Sequence, residues 1–508
     1  MHPAAGRMPR SSHKRPAAPL SSPRLATFLI CSLKMCYFNL MRKAKIICTI
    51  GPASIDRKVI RGLIAGGMNV ARLNFSHGTH AFHEGAIRTI REEAKKLRKT
   101  FAIMQDLQGI KIRVGAIKGG AIELKKGQEI TIKEGSGPGE GDTIFIRYPH
   151  LIEGTEEGDR ILFADGLIQA QITKKGSDFL KAVVTAGGLL QEKKGVNLPG
   201  LKPLQVSFTK KDAADARLGI RMGVDYIALS FVRTKEDVVA LKRFLKEEGA
   251  EGIPLIAKIE TPQGIKNIES ILEETDGIMV ARGDLGVEIP PENVPLVQKS
   301  LIEKANRAGK LVIVATEMLE SMTERPRPTR AETTDVANAV LDGSDAVMLS
   351  QETSIGQYPL ESLDMMDRII EETERSLPIK SRYEEKGSFS EAVAEAAAEA
   401  AHDVKAKYII AFTQSGYTAR LLSMLRPETP IIAMSPSEKV MRRMTLFWGV
   451  RARKIKKLKT MELQFKEVEK ELLSEGLARK GDTVVITSGT PGVQGTTRLM
   501  KLHVIGRE

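Results

Sequence analysis

Eight short runs of hydrophobic residues recur along the chain, and each is followed by a stretch with the spacing of an amphipathic helix. Runs that are apolar at nearly every position are typical of strands buried on both faces, and helices between such strands imply a parallel sheet. Eight strand–helix units predict an α/β fold, the TIM (β/α)8 barrel. The runs lie at 45–50, 70–74, 101–107, 226–231, 254–260, 277–282, 311–317 and 346–350.

Polar residues stand at the ends of almost all of these runs. In a TIM barrel the carboxyl ends of the strands form one rim, where active sites lie, so residues far apart in sequence converge there. Polar residues also terminate strands for purely structural reasons. That explanation does not account for polar residues at the same end of eight successive strands. We therefore predict an active site at this rim. The residues are Thr49, Arg72, Asn74, Asp106, Ser230, Lys258, Glu260, Asp284, Thr316, Ser350 and Glu352.

Residues 114–204 interrupt the strand–helix repeat. They alternate between hydrophobic and polar positions and are divided by glycine-rich turns. This pattern predicts a small β-barrel domain inserted after the third strand, on the active-site side, where it would act as a lid. The (β/α)8 barrel itself would then comprise residues 41–113 and 205–380.

Residues 385–508 form a second departure from the repeat. An Ala/Glu-rich helix is predicted at 388–405, and strands alternate with helices after it. This order predicts a separate C-terminal α/β domain. Its strands are expected at 408–412, 430–434, 450–455, 483–486 and 499–505.

The composition is that of a soluble globular protein with two to four domains, since 42% of its 508 residues are hydrophobic and 28% are charged. Three cysteines in so long a chain argue against a disulfide framework and favour a reducing cytosol, so we expect a cytoplasmic protein. No apolar run reaches the roughly 20 residues that a membrane helix needs. We therefore expect no association with a membrane.

The formal net charge is +14, and six basic residues but no acidic residue lie in 1–40. The surplus on the rest of the chain fits an enzyme that binds anionic phosphates. A single tryptophan leaves few rings for stacking on bases, which argues against nucleic-acid binding. Residues 1–40 have the composition of a transit peptide, but a start at Met41 is the preferred interpretation. In either case we expect a disordered tail or a mis-assigned start, outside the fold.

The sequence AKIET at 257–261 places Lys258 and Glu260 two residues apart on one predicted strand, so both side chains point to the same face. Asp284 follows Gly283 in the next unit, where the missing side chain allows a ligand to approach backbone amides. Two carboxylates from neighbouring strands suit Mg²⁺, with Mn²⁺ as an alternative. A structural Lys–Glu ion pair is the other interpretation, and the GDLG sequence of the next unit argues against it.

These segments resemble the pyruvate kinase family, over nearly the whole chain from Lys43 onward. The resemblance implies transfer of the phosphoryl group of phosphoenolpyruvate to ADP, giving pyruvate and ATP, the last step of glycolysis. The family commonly forms homotetramers. The matching strings are KIICTIGPAS (45–54), GMNVARLNFSHG (67–78), DLQGIKIR (106–113), KKGVNLPG (193–200), AKIET (257–261), VARGDLGVEIP (280–290), ATEMLESM (315–322), PRPTRAE (326–332) and MLSQETSIG (348–356).

The resemblance also implies a role for each matching residue. Arg72 would grip the transferred phosphate, Lys258 would stabilise charge in the transition state, and Thr316, through a water, is the candidate for protonating the enolate. Glu260 and Asp284 would hold Mg²⁺. Phosphoenolpyruvate would contact Arg72, Lys258, Gly283, Asp284 and Thr316. The nucleotide would contact Thr49, Pro52, Asn74, His77, Arg113 and Lys194, and Asp165 of the insert would face the cleft.

One departure from the family pattern concerns monovalent cations. Many members require K⁺, held by groups that match Asn74, Ser76, Asp106 and the backbone carbonyl of Leu107. Those members usually carry glutamate where this chain has Lys111. Since an ammonium has the same charge as K⁺ and donates to oxygen ligands, we expect Lys111 to replace the ion and K⁺ not to be required. A surface lysine is the alternative.

Three further points stay open. The sequence FTQSGYT at 412–418 resembles the loop that holds an effector's phosphate in some members, through Thr413, Ser415 and Thr418, although helix capping explains it equally well. Glu317 and Gln351 stand where the family often has glutamine and glycine. The alternative functions are a metal-dependent aldolase acting on pyruvate enolates and a non-catalytic phosphometabolite sensor.

Overall fold

A computed structural model describes residues 42–201, 206–376, 383, 387–456, 460–489 and 497–507. The predicted tail at 1–40 lies outside these residues. In the ranges that the structure describes, every helix is too short or too polar to cross a bilayer.

The central element is a closed barrel of eight parallel strands, as the sequence predicts. All eight strands are buried along nearly their whole length, which is why they read as continuous apolar runs. The strands are Lys45–Thr49, Val70–Asn74, Ala102–Leu107, Tyr226–Leu229, Leu255–Ile259, Gly277–Ala281, Leu311–Ala315 and Ala346–Leu349.

Helices connect the barrel strands and cover the outside of the barrel. Two connections contain a further short helix directly after the strand, Arg282–Glu288 after the sixth strand and Gln351–Ser354 after the eighth. Each of these short helices places its N-terminus at the carboxyl end of the preceding strand. The other helices of the barrel are Arg57–Ala65, His80–Lys96, Lys210–Met222, Lys235–Glu247, Pro262–Lys266, Ile268–Glu274, Val294–Arg307, Arg330–Leu341 and Pro359–Ser376, with single 3-10 turns at Pro291–Asn293 and Glu320–Thr323.

The barrel strands alternate between two hydrophobic layers. Every second side chain packs inside the barrel, and the others pack between the strands and the helices. In the first strand, Ile47 faces the interior whereas Cys48 packs against the outer layer. On the face that points inward, Ile47 is followed by Thr49 in the first strand, and Met104 is followed by Asp106 in the third. The apolar interior therefore ends in polar side chains at the carboxyl ends of the strands.

The insert after the third strand forms a six-stranded sheet and a two-stranded sheet. The two edges of the larger sheet approach each other at residues 113–114, where Arg113 bridges to Gly195 and Val114 bridges to Ile146. Single bridges thus complete the small barrel predicted for this segment. Its strands are Ala121–Leu124, Glu129–Glu134, Thr143–Ile146, Arg160–Phe163, Ile168–Lys175, Leu180–Ala186, Gly188–Gln191 and Val196–Asn197, with a helix at Leu151–Gly154.

The C-terminal part is an α/β domain built on a five-stranded sheet, of which four strands are parallel and the last is antiparallel. The predicted helix at 388–405 spans Phe389–Asp403, and Ser388 caps it in a capping box with Glu391. The strands are Tyr408–Phe412, Ile431–Ser435, Val450–Lys454, Thr483–Ser488 and Leu499–Val504, and the other helices are Tyr417–Met424, Glu438–Met444 and Met461–Ser474.

The C-terminal domain closes the amino-terminal end of the (β/α)8 barrel. Leu446 is fully buried in the same hydrophobic cluster as Tyr226 and Leu311, which lie at the start of barrel strands. The Tyr226 hydroxyl donates a hydrogen bond of 2.6 Å to the backbone carbonyl of Arg443. The end of the barrel opposite the polar rim is therefore sealed.

A buried ion pair joins the two domains. Asp345, just before the eighth strand, accepts from the Val312 amide at 2.9 Å and pairs with the Arg426 guanidinium at 2.9 Å. Arg426 lies over the ring of Trp448, 4.8 Å from its centroid. Both charged side chains are almost fully buried; Asp345 also pairs with Arg420 at 3.4 Å, whereas Arg426 relies on Asp345 for its counter-charge.

We expect Asp345→Asn to destabilise the protein by about 3–5 kcal/mol, because it leaves the Arg426 guanidinium buried without a counter-charge. The single tryptophan, Trp448, lies at this interface, so urea unfolding followed by its fluorescence reports the loss directly. Asp364→Asn, which removes an exposed i,i+4 pair with Arg368, is the matched control and should cost less than about 0.5 kcal/mol. Equal unfolding midpoints for the two variants would contradict the assignment.

Candidate active site

A cleft of about 830 Å³ opens at the carboxyl ends of the barrel strands. It collects most of the residues that the sequence singled out, although they come from every part of the barrel. Those that line it are Thr49, Pro52, Arg72, Asn74, Ser76, His77, Lys111, Ser230, Lys258, Glu260, Gly283, Asp284, Thr316, Glu317, Ser350 and Gln351.

Beneath the residues that line the cleft lies the buried Asp106 carboxylate, which holds two cations. Arg72 contacts Asp106 Oδ2 through Nε at 2.7 Å and through Nη2 at 2.6 Å. Lys258 Nζ lies 3.3 Å from Asp106 Oδ1 and 2.9 Å from Glu260 Oε1, and it donates to Ser230 Oγ at 2.7 Å. The remaining Arg72 nitrogen, Nη1, donates to Thr49 Oγ1 at 2.9 Å. Both cations are therefore fixed in position beneath the cleft.

The protonation states of this network follow from its charges. Burial alone would lower the pKa of Lys258, but the carboxylates of Asp106 and Glu260 outweigh it and raise that pKa above its ordinary value. Burial would likewise raise the pKa of Asp106, but Lys258 and Arg72 lower it below the ordinary value. Lys258 is thus a permanent cation and Asp106 a permanent anion near neutral pH.

Glu260 lies just beyond its strand, not on it as the sequence suggested, since the strand ends at Ile259. Its Oε2 accepts from the Phe231 amide at 2.6 Å, and Phe231 adopts a left-handed φ of 54° that presents this amide. Oε1 is buried and, among the described residues, has the ion-pair contact with Lys258 but no hydrogen bond. Burial, reinforced by Asp284, raises the pKa of Glu260 to about 7 although Lys258 opposes the shift.

Asp284 also lies beyond its predicted strand, in the short helix Arg282–Glu288. Its carboxylate acts on Glu260 electrostatically, and both side chains line the cleft. No group of three or more acidic, histidine or cysteine side chains that could hold a metal ion occurs among the described residues. A cation at this site would therefore have two protein carboxylates and would need further ligands from substrate or water.

Thr316 has a left-handed backbone, with φ at 69°, as does the next residue, Glu317. A β-branched residue in this region is strained by about 1–3 kcal/mol. The Thr316 hydroxyl accepts from the Gly283 amide at 2.7 Å and donates to the Ala315 carbonyl at 2.6 Å. The Gly283 amide, which the sequence assigned to substrate, is thus bonded to Thr316 in this structure.

The six residues predicted to contact nucleotide divide into two groups. Thr49, Pro52, Asn74 and His77 line the cleft, and burial together with nearby Lys111 lowers the pKa of His77. Arg113, at the end of the first barrel segment, and Lys194 of the insert lie outside the cleft lining. Arg113 Nη1 donates to the Lys193 carbonyl at 2.9 Å.

The groups predicted to hold a monovalent cation already make hydrogen bonds within the protein. Asn74 Oδ1 accepts from the Ser76 amide at 3.1 Å, and the Leu107 carbonyl accepts from Ser230 Oγ at 2.7 Å. Lys111 does not contact Asp106: within the described parts of the chain its ammonium makes neither a hydrogen bond nor an ion pair. Burial and Arg113 lower the pKa of Lys111, whereas Asp284 and Asp165 oppose that shift.

The insert meets the barrel at a second cavity, of about 70 Å³, next to the cleft. Asp165 lines this second cavity together with Lys111 and Asp284 but does not line the cleft itself. Asn197 Nδ2 of the insert donates to Glu288 Oε1 of the barrel at 2.8 Å. Neither Asn197 nor Glu288 was identified from the sequence, because their pairing depends on how the insert packs.

Two other predicted regions, Glu352 and the FTQSGYT segment, make hydrogen bonds within the protein. Glu352 does not reach the cleft: it is fully buried, and its carboxylate accepts from the amides of Leu319 and Ser350. In the C-terminal domain, Thr413 Oγ1 accepts from the Gly416 amide at 2.8 Å, and the Thr418 hydroxyl bonds Thr497 at 2.7 Å. The first contact lies within the FTQSGYT segment and the second joins it to a residue far along the chain, so both interpretations of this segment stay open.

The closed barrel and the paired cations at its rim define a TIM-barrel enzyme that acts on anionic substrates. Sequence models of two pyruvate kinase domains match the chain, the barrel domain at 41–363 and the alpha/beta domain at 391–503. The chain belongs to the pyruvate kinase family. It is therefore a phosphotransferase that converts phosphoenolpyruvate and ADP to pyruvate and ATP.

Individual relatives agree with this placement. The pyruvate kinase of Sporosarcina psychrophila is 47% identical over 474 residues, which cover 92% of this chain and 81% of that protein. The pyruvate kinase of Geobacillus stearothermophilus is 45% identical over 473 residues, covering 91% and 80%. A crystal structure of a pyruvate kinase from Cryptosporidium parvum superposes with a TM-score of 0.87 at 40% identity, covering 91% of this chain and 96% of that one.

An acidic group at the cleft edge yields a prediction about pH. Burial, together with Glu352, Glu317 and Glu332, raises the pKa of half-buried Glu320 to about 7. The folded protein thus keeps a proton that the unfolded chain releases near pH 4.5, so stability falls as pH rises from about 4.5 to 7. We expect Glu320→Gln to raise the free energy of unfolding at pH 8 by about 1–2 kcal/mol, a value reduced for solvent screening, and to have no effect at pH 4.

Urea unfolding followed by circular dichroism at both pH values measures this difference. Glu324→Gln, a change at an exposed glutamate four residues away, is the control and should shift neither curve. A Glu320→Gln effect of the same size at pH 4 and pH 8 would show that burial and repulsion do not act on this carboxyl as described.

Proposed function

We propose that Arg72 and Lys258 bind and stabilise the transferred phosphoryl group. The observation that carries this assignment is the shared anchor: both cations are fixed by Asp106 and line the same cleft. Phosphoryl transfer relies mainly on positioning and on preorganised charge. Cations that are already held need little reorganisation when negative charge shifts from the phosphate to the leaving enolate.

We propose further that Glu260 and Asp284 hold Mg²⁺, with Mn²⁺ as a substitute. The residues fit such an ion, because Glu260 Oε1 is a buried carboxylate oxygen whose partner is the Lys258 ammonium, and Asp284 shares its cleft. Hard oxygen ligands in small number leave coordination positions for substrate oxygens and water. When bound, the cation would supply charge neutralisation to the phosphoryl group.

In the same proposal, Gly283, Asp284 and Thr316 position phosphoenolpyruvate. Thr316 acts in the protonation of the enolate through a water. Its hydroxyl proton is directed at the Ala315 carbonyl, so a lone pair of the oxygen remains to accept from that water and orient it. The water gives a proton to the enolate carbon, which forms pyruvate, and the hydroxide left behind takes a proton from solvent in the cleft. Thr49, Pro52, Asn74 and His77 would contact the nucleotide from the cleft, together with Arg113 and with Lys194 of the insert, and Asp165 would face the site.

Several broader assignments accompany these roles. We propose a homotetramer in the cytoplasm, with phosphoenolpyruvate and ADP or ATP as ligands and no nucleic-acid partner. We also retain the predicted domain boundaries, with the barrel at 41–113 and 205–380, the lid at 114–204 and the C-terminal domain at 385–508. Size-exclusion chromatography with light scattering tests the assembly.

Replacing Lys258 by methionine tests the central assignment. We expect kcat to fall about 10²- to 10³-fold, since the ammonium acts mainly on charge that develops in the transition state. The affinity for phosphoenolpyruvate should change much less. A coupled assay of pyruvate formation gives kcat, and fluorescence titration gives the affinity. Equal losses in both would identify Lys258 as a lysine of ground-state binding or structure, and unchanged Trp448 fluorescence shows that the variant is folded.

Lys111 supports a second proposal, that the enzyme is active without K⁺. Its ammonium lines the cleft and is not bound elsewhere among the described residues, so it is available to the groups around Asn74 and Ser76. We expect full activity in a tetraalkylammonium buffer free of K⁺ and Na⁺. Lys111→Glu should make activity depend on added K⁺ or abolish it, because it removes the resident positive charge.

The matched control is Lys174→Glu, which makes the same change of charge on an exposed strand of the insert. This variant should behave like the unmutated protein at every K⁺ concentration. Strong activation of the unmutated protein by K⁺ would contradict the proposal.

A further inference from the structure

The strained backbone of Thr316 needs an external restraint. A β-branched residue does not adopt a left-handed φ on its own account, so neighbouring groups must hold it there. The Gly283 amide fixes the side chain, as described above. The backbone is held separately, because the Thr316 carbonyl accepts from Arg282 Nη2 at 2.6 Å and from Nε at 3.3 Å.

Arg282 is itself locked by a set of contacts that uses its whole guanidinium. Nη2 also approaches Met318 Sδ at 2.9 Å, whereas Nη1 donates to Asp335 at 2.7 Å and to Gln298 Oε1 at 3.4 Å. Together with the bonds to Thr316, these contacts involve all three nitrogens of the group. The side chain is only 9% exposed. Because every nitrogen of the planar guanidinium is engaged, the group is held in one orientation.

Asp335 supplies the counter-charge for this buried cation. Its Oδ2 lies 2.6 Å from Arg282 Nη1, and it is carried by the helix Arg330–Leu341. The same helix anchors the turn after Thr316, because Glu332 accepts from the Ser321 amide and hydroxyl at 2.7 and 2.6 Å. Asp335 does not line the cleft, so it acts on the site only through Arg282.

We infer that Arg282 and Asp335 are positioning residues for the reaction: they form a clamp that holds Thr316 in its left-handed conformation at the cleft. This inference rests on the proposed role of Thr316 in enolate protonation. Without the charge of Asp335, the guanidinium loses its fixed orientation and the Thr316 carbonyl loses its restraint. The threonine then relaxes toward an unstrained φ, which moves its hydroxyl relative to the reacting carbon.

The test compares Asp335→Asn with Asp364→Asn, the same chemical change in an exposed pair on another helix. Asp335 is 34% exposed, so the substitution is compatible with folding, which Trp448 fluorescence and the thermal midpoint verify. We expect kcat to fall about 10- to 100-fold for Asp335→Asn, as a small misplacement of a reacting group does. The KM for ADP should stay within about threefold of the unmutated value, because the substitution leaves the proposed nucleotide-binding residues unchanged. Asp364→Asn should not change kcat.

A double-mutant cycle with Thr316→Ala distinguishes positioning from a general structural role. If the clamp acts through Thr316, Asp335→Asn should lower kcat little further in a Thr316→Ala background. Additive losses would overturn the inference, as would a kcat for Asp335→Asn equal to that of Asp364→Asn. Arg282→Lys is a second variant with the same expectation, since one ammonium does not reproduce the fork that joins Thr316 and Asp335.

The outcomes also separate this inference from the proposed function. A large loss in Thr316→Ala with no loss in Asp335→Asn would overturn the clamp alone and leave the role of Thr316 standing. Near-normal kcat in Thr316→Ala would overturn the catalytic role, and the clamp with it.

Discussion

The active site depends on one carboxylate that holds two cations together. Arg72 and Lys258 would repel each other if Asp106 did not lie between them, and all three side chains are withdrawn from water. Breaking a buried pair leaves an uncompensated charge and costs about 3–5 kcal/mol. Glu260 adds a second negative charge beside Lys258. The two cations are therefore balanced by the two carboxylates, and both cationic side chains line the cleft.

The rest of the barrel is organised so that this network remains rigid. Inward-facing positions are mostly apolar in the lower part of the barrel, with buried Lys45 as an exception, and become polar at its carboxyl end, as in the step from Met104 to Asp106. Leu446 of the C-terminal domain closes the lower end. A dry, packed interior beneath the cations keeps water away from them and strengthens their interactions. The ion pair of Asp345 and Arg426 joins the two domains at the same end.

The fold and the main site residues could be predicted from the sequence because strand periodicity alone decides which residues face the barrel interior and which stand at the rim. The predicted runs extended one or two residues too far, at Phe231, Glu260 and Thr316. There the chain leaves the strand, at two of these positions through a left-handed conformation that composition does not reveal. Contacts that depend on tertiary packing, such as those of Arg282, could not be predicted. The nucleotide contacts of Arg113 and Lys194 stay predictions: both residues lie outside the cleft lining, and the orientation of the insert is not encoded in a local motif.

The bond between the Gly283 amide and the Thr316 hydroxyl has a consequence for selectivity. An anion that takes this amide must displace the hydroxyl, so the protein exchanges one hydrogen bond for another and gains little net free energy. A small anion that contacts only the Gly283 amide therefore gains no binding free energy relative to staying in solvent. A ligand that also spans the distance to Arg72 and Lys258 recovers the difference through their charges. If substrate takes the Gly283 amide as proposed, this exchange of hydrogen bonds disfavours fragments and favours molecules long enough to bridge the cleft.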